Sequence, residues 1–263
     1  MRPEAHPIRT VLVLLAAVAT VVLAATLIVT RPRTAPSEAK PVAAESVFVE
    51  AGQDAAARVL VLGDSWTYGA AATRPELGYA HRLASVAGWD MVIDGEPGSG
   101  YLKKGWYGTT FGERIAALDP ALDPDVVVVQ GSINDRRLPA TGYREAASDA
   151  WDALAATYPE ARIVVLGPAP QVLPVEPATA RIDRDLADLA AQRGWPYVSP
   201  IGENWITDEN YLEVIDTSER GANHPSDAGH AYLAEKVAAA VRPYAPPITV
   251  EAVDEQPEPL TGE

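Results

Sequence analysis

The sequence of 263 residues contains no cysteine, few histidines and little positive charge. The lack of cysteine excludes disulfide bonds, a thiolate nucleophile and zinc sites with sulfur ligands. The four histidines are His6, His81, His224 and His230, so a three-histidine metal site would use nearly all of them. His81 and His230 fall within predicted helices and are expected to be structural. Catalysis is therefore left to a serine, a carboxylate or an oxygen-ligated metal.

Positive charge is scarce, because 21 lysines and arginines stand against 36 aspartates and glutamates, for a formal net charge of −15. A surface this acidic repels the phosphate backbone of nucleic acids, so no nucleic-acid partner is expected. Hydrophobic residues nevertheless make up 48% of the chain, which is enough for a globular core. The length fits one domain of about 190 residues with extensions at both ends.

Long hydrophobic runs are absent except near the N-terminus, where residues 11–30 carry no charge and follow Arg2 and Arg9. A helix of that length rises about 30 Å, which is enough to cross a bilayer. We therefore expect a transmembrane signal-anchor at residues 10–30 of a cell-membrane protein. Residues 1–9 would be a cytoplasmic head and the globular part would be extracytoplasmic. A cleaved signal peptide, which would give a secreted protein, is the alternative.

The segments on either side of the predicted domain have little to bury. Residues 31–55 contain several prolines and alanines without sustained periodicity, which is typical of a linker. Residues 244–263 are rich in proline and acidic residues and are predicted to be a disordered tail, with a short strand at residues 248–250 as the alternative. The folded domain is accordingly predicted at residues 56–243.

Within that domain, short apolar segments alternate with amphipathic ones. Strands are predicted at residues 58–62, 90–94, 125–130, 162–166 and 196–199, and helices at residues 75–88, 111–118, 142–157, 176–193 and 226–241. Repeated alternation of this kind predicts an α/β fold with a central parallel sheet covered by helices on both faces. In such sheets the ligand site lies outside the carboxyl ends of the strands, so the residues that follow each strand are the functional candidates.

Candidate residues follow the first three predicted strands and precede the last helix. Ser65 comes after the first strand, Gly98 and Gly100 lie in the loop after the second, Asn134 follows the third, and His224 lies in the loop before the last helix. A hydroxyl, an imidazole and nearby amide donors are the groups needed for nucleophilic attack on a carbonyl. Taken singly, each residue could instead be a turn former.

The motifs that carry these residues together resemble those of the SGNH hydrolases, also called GDSL-like esterases and lipases. Residues 63–69 (GDSWTYG), 95–98 (GEPG), 132–135 (SIND) and 224–230 (HPSDAGH) are similar to the first, second, third and fifth blocks of that family. The resemblance covers about residues 56–243. It implies a flavodoxin-like three-layer α/β/α sandwich and hydrolysis of ester bonds, with no metal or cofactor required.

The resemblance also implies a role for each motif residue. Ser65 would be the nucleophile and His224 the general base. The oxyanion hole would consist of the N–H groups of Ser65 and Gly98 and the side-chain amide of Asn134. Gly100 is the alternative to Gly98, because the loop permits a shift of two residues.

Two positions depart from the family pattern. Ser132 stands where the family usually has a glycine, although Gly131 adjoins it. Gly221 stands where the family usually has an aspartate, three residues before the catalytic histidine, that orients the ring. Asp216 or Glu219 could supply a substitute carboxylate. Otherwise a backbone carbonyl or a water molecule would hold the imidazole and leave a Ser–His dyad.

Three functional interpretations remain open from the sequence. The first is a membrane-anchored extracytoplasmic serine esterase that hydrolyses short, acetyl-like acyl esters, with cell-envelope carbohydrate or glycolipid as the suggested substrate. The second is a catalytically weak or inactive carbohydrate-binding module on the same fold. In either case Trp66, Tyr101, Trp106 and Tyr107 could form a sugar-stacking platform. A flavodoxin-like nucleotide-binding protein is a weaker third interpretation, because no phosphate-binding fingerprint follows the first strand.

Overall fold

Five parallel strands form the centre of the computed structural model, which describes residues 56–247. They are β1 (Arg58–Gly63), β2 (Asp90–Gly95), β3 (Val126–Gln130), β4 (Arg162–Leu166) and β5 (Tyr197–Val198), in the order β2–β1–β3–β4–β5. Nearly every side chain of β1 and β3 is buried, as expected for strands that are covered on both faces. The predicted α/β fold with a central parallel sheet is confirmed, and its strand order is that of flavodoxin-like folds.

Helices cover both faces of this sheet. The described helices are α1 (Ser65–Tyr68), α2 (Tyr79–Ala87), α3 (Phe111–Ile115), α4 (Tyr143–Thr157), α5 (Pro177–Arg193), α6 (Tyr211–Val214) and α7 (Asp227–Val241). Helices α2 and α7 pack on the face formed by Val59 and Val61, whereas α3, α4 and α5 pack on the face formed by Leu60 and Leu62. Because successive residues of a strand point to opposite faces, β1 contributes to both cores of the three-layer sandwich.

The observed elements agree with the sequence predictions to within a few residues, with two differences. The predicted helix at residues 75–88 is a 3₁₀ turn (Pro75–Leu77) followed by α2, because Gly78 between them has an extended backbone. The segment before α7 is more ordered than the predicted loop, since β6 (Ile215–Asp216) pairs antiparallel with β7 (His224–Pro225). This small second sheet holds His224.

Close approach between α6 and α7 depends on Gly229. Ser226 caps α7 by accepting a hydrogen bond of 2.9 Å from the Gly229 N–H to its hydroxyl oxygen. A Cβ atom at Gly229 would lie 1.9 Å from the carbonyl oxygen of Val214, so no side chain fits there. The glycine therefore lets α7 begin next to the small sheet that carries His224.

Within residues 56–247, no helix is both long enough and apolar enough to span a bilayer. The signal-anchor predicted at residues 10–30, the linker at residues 31–55 and the possible strand at residues 248–250 lie outside the described residues.

Gly229→Ala is expected to lower the free energy of unfolding by about 1–3 kcal/mol, because the new methyl group overlaps a backbone oxygen that cannot turn away. Gly112→Ala is the matched control near the start of α3, where the nearest neighbour of a Cβ would be the Ala150 Cβ at 3.8 Å. That control should be neutral or stabilising by roughly 0.5–1 kcal/mol. Urea unfolding measures both effects, and equal losses for the two variants would contradict the role given to Gly229.

Candidate active site

Ser65 and His224 meet at the carboxyl ends of the strands although 159 positions separate them in the chain. Ser65 is the first residue of α1 and follows β1 after a single intervening residue. That residue, Asp64, caps the helix by accepting a hydrogen bond of 3.0 Å from the Trp66 N–H. The His224 Nε2 atom lies 2.9 Å from the Ser65 Oγ atom. The hydroxyl and the imidazole are thus in hydrogen-bond contact without any rearrangement.

The other ring nitrogen of His224 is held by the main chain. Its Nδ1 atom lies 3.0 Å from the carbonyl oxygen of Gly221. Because a carbonyl oxygen only accepts, Nδ1 carries the proton, and Nε2 keeps the lone pair that faces Ser65. Among residues 56–247, neither Asp216 nor Glu219 hydrogen-bonds to the ring. Of the alternatives that the sequence left open, the structure therefore contains the backbone carbonyl.

The turn that presents this carbonyl is built around Asp216. A Cβ atom at Gly221 would lie 2.1 Å from the Asp216 Cγ atom, so the aspartate fills the space that a side chain at position 221 would need. The next two residues, Ala222 and Asn223, have φ angles of +47° and +61°. This left-handed backbone costs of order 1–2 kcal/mol per residue outside glycine, so the surrounding contacts must hold it in place.

The surroundings of His224 favour its neutral form. Burial lowers the pKa of His224 below the ordinary value of 6.5, and the nearby positive charge of Arg136 lowers it further. Arg136 is itself fixed, since its guanidinium donates to Glu176 at 2.7 Å and to Gln171 at 2.8 Å. A neutral imidazole at neutral pH can accept a proton from the serine hydroxyl.

The donors expected to form an oxyanion hole lie at the same edge of the sheet. Within the described residues, the N–H groups of Ser65 and Gly98 donate to no protein acceptor, whereas the Gly100 N–H donates to a main-chain carbonyl at 2.8 Å. Gly98 is thus the better candidate of the two glycines. Its φ of +79° is a conformation that favours glycine. The Asn134 side-chain amide donates to the carbonyl oxygen of Ser99 at 3.0 Å, beside the same loop.

A buried carboxylate that the sequence analysis missed holds this loop. Asp135 accepts three hydrogen bonds from the main-chain N–H groups of residues 101–103, at 2.7, 3.2 and 2.9 Å. A Cβ atom at Gly100 would lie 2.4 Å from an Asp135 oxygen, so this glycine makes room for the carboxylate. Lys103 completes the turn by donating from Nζ to the Gly98 carbonyl at 2.8 Å. Asp135 directly follows Asn134 in the SIND motif, and this position in the sequence could have indicated its role.

Arg114 is a second positioning residue that sequence reasoning missed. Its buried guanidinium donates to the Gly63 carbonyl at 2.9 Å and to the Ser99 hydroxyl at 3.0 Å. It also pairs with Asp94 at the end of β2. The arginine therefore ties the strand that leads to Ser65 to the loop that contains Gly98. Its position in a predicted helix gave no indication of this role.

Two of the four aromatic residues predicted to form a sugar-stacking platform are buried and cannot contact a sugar. Trp66 is 2% exposed and Tyr101 is 5% exposed, because both belong to the apolar cores of the sandwich. That part of the prediction is wrong. Trp106 and Tyr107 are exposed, and Tyr68, which the sequence analysis did not include, is exposed with them.

The remaining histidines lie apart from the nucleophile. His230 is fully buried, and its ring accepts from the Tyr79 N–H at 3.2 Å and donates to the Ala70 carbonyl at 3.0 Å. It thereby joins the two ends of the loop between α1 and α2, in keeping with the structural role expected for it. His81 is exposed on α2, and His6 lies outside the described residues.

Several known proteins are similar to this chain in sequence or in fold. A GDSL lipase from Mycobacterium tuberculosis is 30% identical over 195 residues, which cover 68% of this chain and 79% of the relative. A Mycobacterium smegmatis aryl esterase has a similar fold, with a TM-score of 0.53 at 19% identity, over 72% of this chain and all of that one. A two-domain esterase active on acetylated mannans gives a TM-score of 0.56 at 19% identity, over 75% of this chain and 53% of that one.

The family assignment follows from the extent of the match. Residues 61–232, from the middle of β1 to the first half of α7, match the GDSL-like lipase/acylhydrolase family. The matched segment contains Ser65, Gly98, Asn134 and His224. The chain therefore belongs to the GDSL-like lipase/acylhydrolase family and is a carboxylic ester hydrolase of the SGNH type.

Proposed function

We propose that this protein is a serine esterase that removes short, acetyl-like acyl groups through a Ser65–His224 dyad. The observation that carries the proposal is the 2.9 Å contact between His224 Nε2 and Ser65 Oγ. The Gly221 carbonyl on the far side of the ring leaves the lone pair of Nε2 free to accept the serine proton. A side-chain carboxylate is not required for this orientation.

The reaction proceeds in two halves. His224 takes the proton of Ser65 while the serine oxygen attacks the ester carbonyl, and a tetrahedral oxyanion forms. The N–H groups of Ser65 and Gly98 and the Asn134 amide donate to this oxyanion. The intermediate collapses, and His224 returns its proton to the departing alcohol. Water then attacks the acyl-serine with His224 again as the base, which releases the carboxylic acid and restores the serine.

The missing carboxylate changes the electrostatics of the imidazolium that forms during catalysis. A neutral carbonyl stabilises the positive ring less than a carboxylate would, and Arg136 disfavours it further. The dyad is therefore a weaker base than a triad, and it stays unprotonated to a lower pH. The ring therefore stays neutral, and able to accept the serine proton, to a lower pH than an isolated imidazole would.

The substrate proposal has support from the comparisons and from the site. One structural neighbour is an esterase active on acetylated mannans, and another is a family two carbohydrate esterase from Clostridium thermocellum solved with cellohexaose. Exposed aromatic side chains next to the nucleophile are compatible with a carbohydrate alcohol. We therefore propose an acylated carbohydrate as substrate, with the cell envelope as its source.

We further propose that residues 11–30 anchor the enzyme in the cell membrane, with the esterase domain extracytoplasmic. The support is the twenty-residue run without a charged side chain. Mass spectrometry of the protein extracted from membranes is expected to detect peptides that precede residue 30. A mature N-terminus after residue 30 in every molecule would instead identify a cleaved signal peptide.

Ser65→Ala should lower hydrolysis of p-nitrophenyl acetate by more than about 10³-fold, because the nucleophile is lost. Asn134→Ala should lower kcat by about 10²–10³-fold, the usual cost of one oxyanion donor. Ser85→Ala is the control, since this exposed serine lies in α2 away from the site. A fluorophosphonate probe should label the wild type and the control but not Ser65→Ala. Absence of both labelling and hydrolysis in the wild type would favour the non-catalytic binding module.

The pH dependence of kcat/KM tests the state of His224. Activity requires the neutral ring, so it should fall as the pH drops through a pKa that lies below 6.5. Arg136→Gln removes the positive charge that lowers this pKa, so the acid limb should move to higher pH. Arg136→Lys keeps the charge and should leave the limb close to that of the wild type. Identical shifts in both variants would attribute the effect to lost packing and contradict the electrostatic role.

A further inference from the structure

An aromatic ledge borders the nucleophile, and we define it as Tyr68, Trp106 and Tyr107. These side chains are 46%, 78% and 68% exposed. Tyr68 ends the short helix that begins with Ser65. The Trp106 Cδ1 atom lies 3.7 Å from the position that a Cβ on Gly98 would occupy. Tyr68 therefore belongs to the helical turn that carries Ser65, and Trp106 lies beside Gly98.

Buried polar contacts hold the ledge in its exposed position. The Glu96 side chain is 2% exposed and accepts a hydrogen bond of 2.6 Å from the Tyr107 N–H. It also accepts from the Thr109 hydroxyl, so the segment between them is fastened at two points. The nearby Tyr68 side chain raises the pKa of Tyr107. Because the backbone is fixed, these rings are presented to the solvent instead of folding into the core.

Tyr68 also lines a groove of about 520 Å³, so the ledge and the groove share this side chain. One wall is the loop Gly69–Pro75, and Ile93 contributes to the lining. The loop is held by His230, whose ring bonds to the Ala70 carbonyl at 3.0 Å, and by Asp227, which accepts from the Thr73 N–H at 2.8 Å. The volume of the groove is in the usual range for ligand sites, and these hydrogen bonds hold its wall in place before a ligand binds.

The chemistry of this surface suits neutral sugar rings. Aromatic faces pack against the apolar C–H faces of a sugar, and tyrosine hydroxyls can exchange hydrogen bonds with its hydroxyl groups. Among the described residues, Arg74 is the one charged side chain that lines the groove, and it pairs with Glu76 at 3.3 Å. The net charge of −15 for the chain as a whole disfavours an anionic polymer. A long acyl chain is better served by an enclosed apolar cavity that buries most of its surface, whereas Trp106 offers one open face.

We propose that the aromatic ledge and the groove beyond Tyr68 bind the carbohydrate chain that carries the ester, so that the substrate is an O-acylated oligosaccharide or polysaccharide of neutral sugars. This inference rests on the proposed esterase function and adds the subsite that selects the alcohol. The sugar next to the ester would stack on the ledge, and further rings would extend into the groove.

The experiment compares kcat/KM on acetylated cello-oligosaccharides with kcat/KM on p-nitrophenyl acetate, which is too small to reach beyond the ledge. Trp106→Ala should lower the ratio of the two values by about tenfold, and Trp106→Phe should retain most of it because an aromatic face remains. Tyr244→Ala is the control, since this tyrosine is 37% exposed and lies near Asp125 and Arg162 at the amino ends of the strands. Its ratio should equal that of the wild type.

The wild type should also prefer the acetylated oligosaccharide to acetylated glucose, and Trp106→Ala should lose that preference. An unchanged ratio in Trp106→Ala would overturn the proposal. A greater loss of kcat/KM on p-nitrophenyl octanoate than on the oligosaccharide would also overturn it, because the ledge would then bind the acyl chain. Failure of the esterase function itself would look different, because p-nitrophenyl acetate would then not be hydrolysed by the wild type in a Ser65-dependent manner.

Discussion

The contact between Ser65 Oγ and His224 Nε2 depends on two pieces of backbone that are fixed independently of each other. On one side, Asp64 caps a one-turn helix directly after β1 and sets the position of the hydroxyl. On the other side, the pairing of β6 with β7 holds His224, and Gly229 lets α7 start close behind it. A 2.9 Å hydrogen bond is possible only if both supports keep their geometry.

The loop between β2 and α3 follows the same principle of support by buried polar groups. Asp135 gathers three main-chain N–H groups, Glu96 fastens the segment with Tyr107, and Arg114 joins the loop to the end of β1. Each of these charges is satisfied by hydrogen bonds, which offsets the cost of burying it. As a result, the backbone around Gly98 and the aromatic ledge is fixed before any substrate binds. Substrate binding therefore costs little conformational entropy in this loop.

The sequence was sufficient to predict the fold class and the residues at the rim of the sheet. Ser65 lies two residues and Asn134 four residues beyond the end of an apolar strand, so both are among the candidates that the position of ligand sites at strand ends predicts. The hydrogen-bond acceptor for His224 could not be found in this way, because a main-chain carbonyl leaves no mark in the identity of a residue. Strands of two residues such as β6 and β7 are too short to show the alternation of apolar and polar residues by which strands are predicted. The burial of Tyr101 and the exposure of Trp106, which lie five positions apart, depend on tertiary packing that local sequence does not specify.

The use of Gly221 to orient the imidazole has a consequence for how the enzyme tolerates change. A triad can be disabled by replacing its acidic side chain, but every amino acid carries a carbonyl, so no exchange of one residue for another deletes this acceptor. Its weak point is conformational instead, since the carbonyl is aimed by Ala222 and Asn223 in a left-handed turn. The orientation of His224 is therefore sensitive to substitutions that change the backbone conformation of this turn. It does not depend on any one acidic side chain.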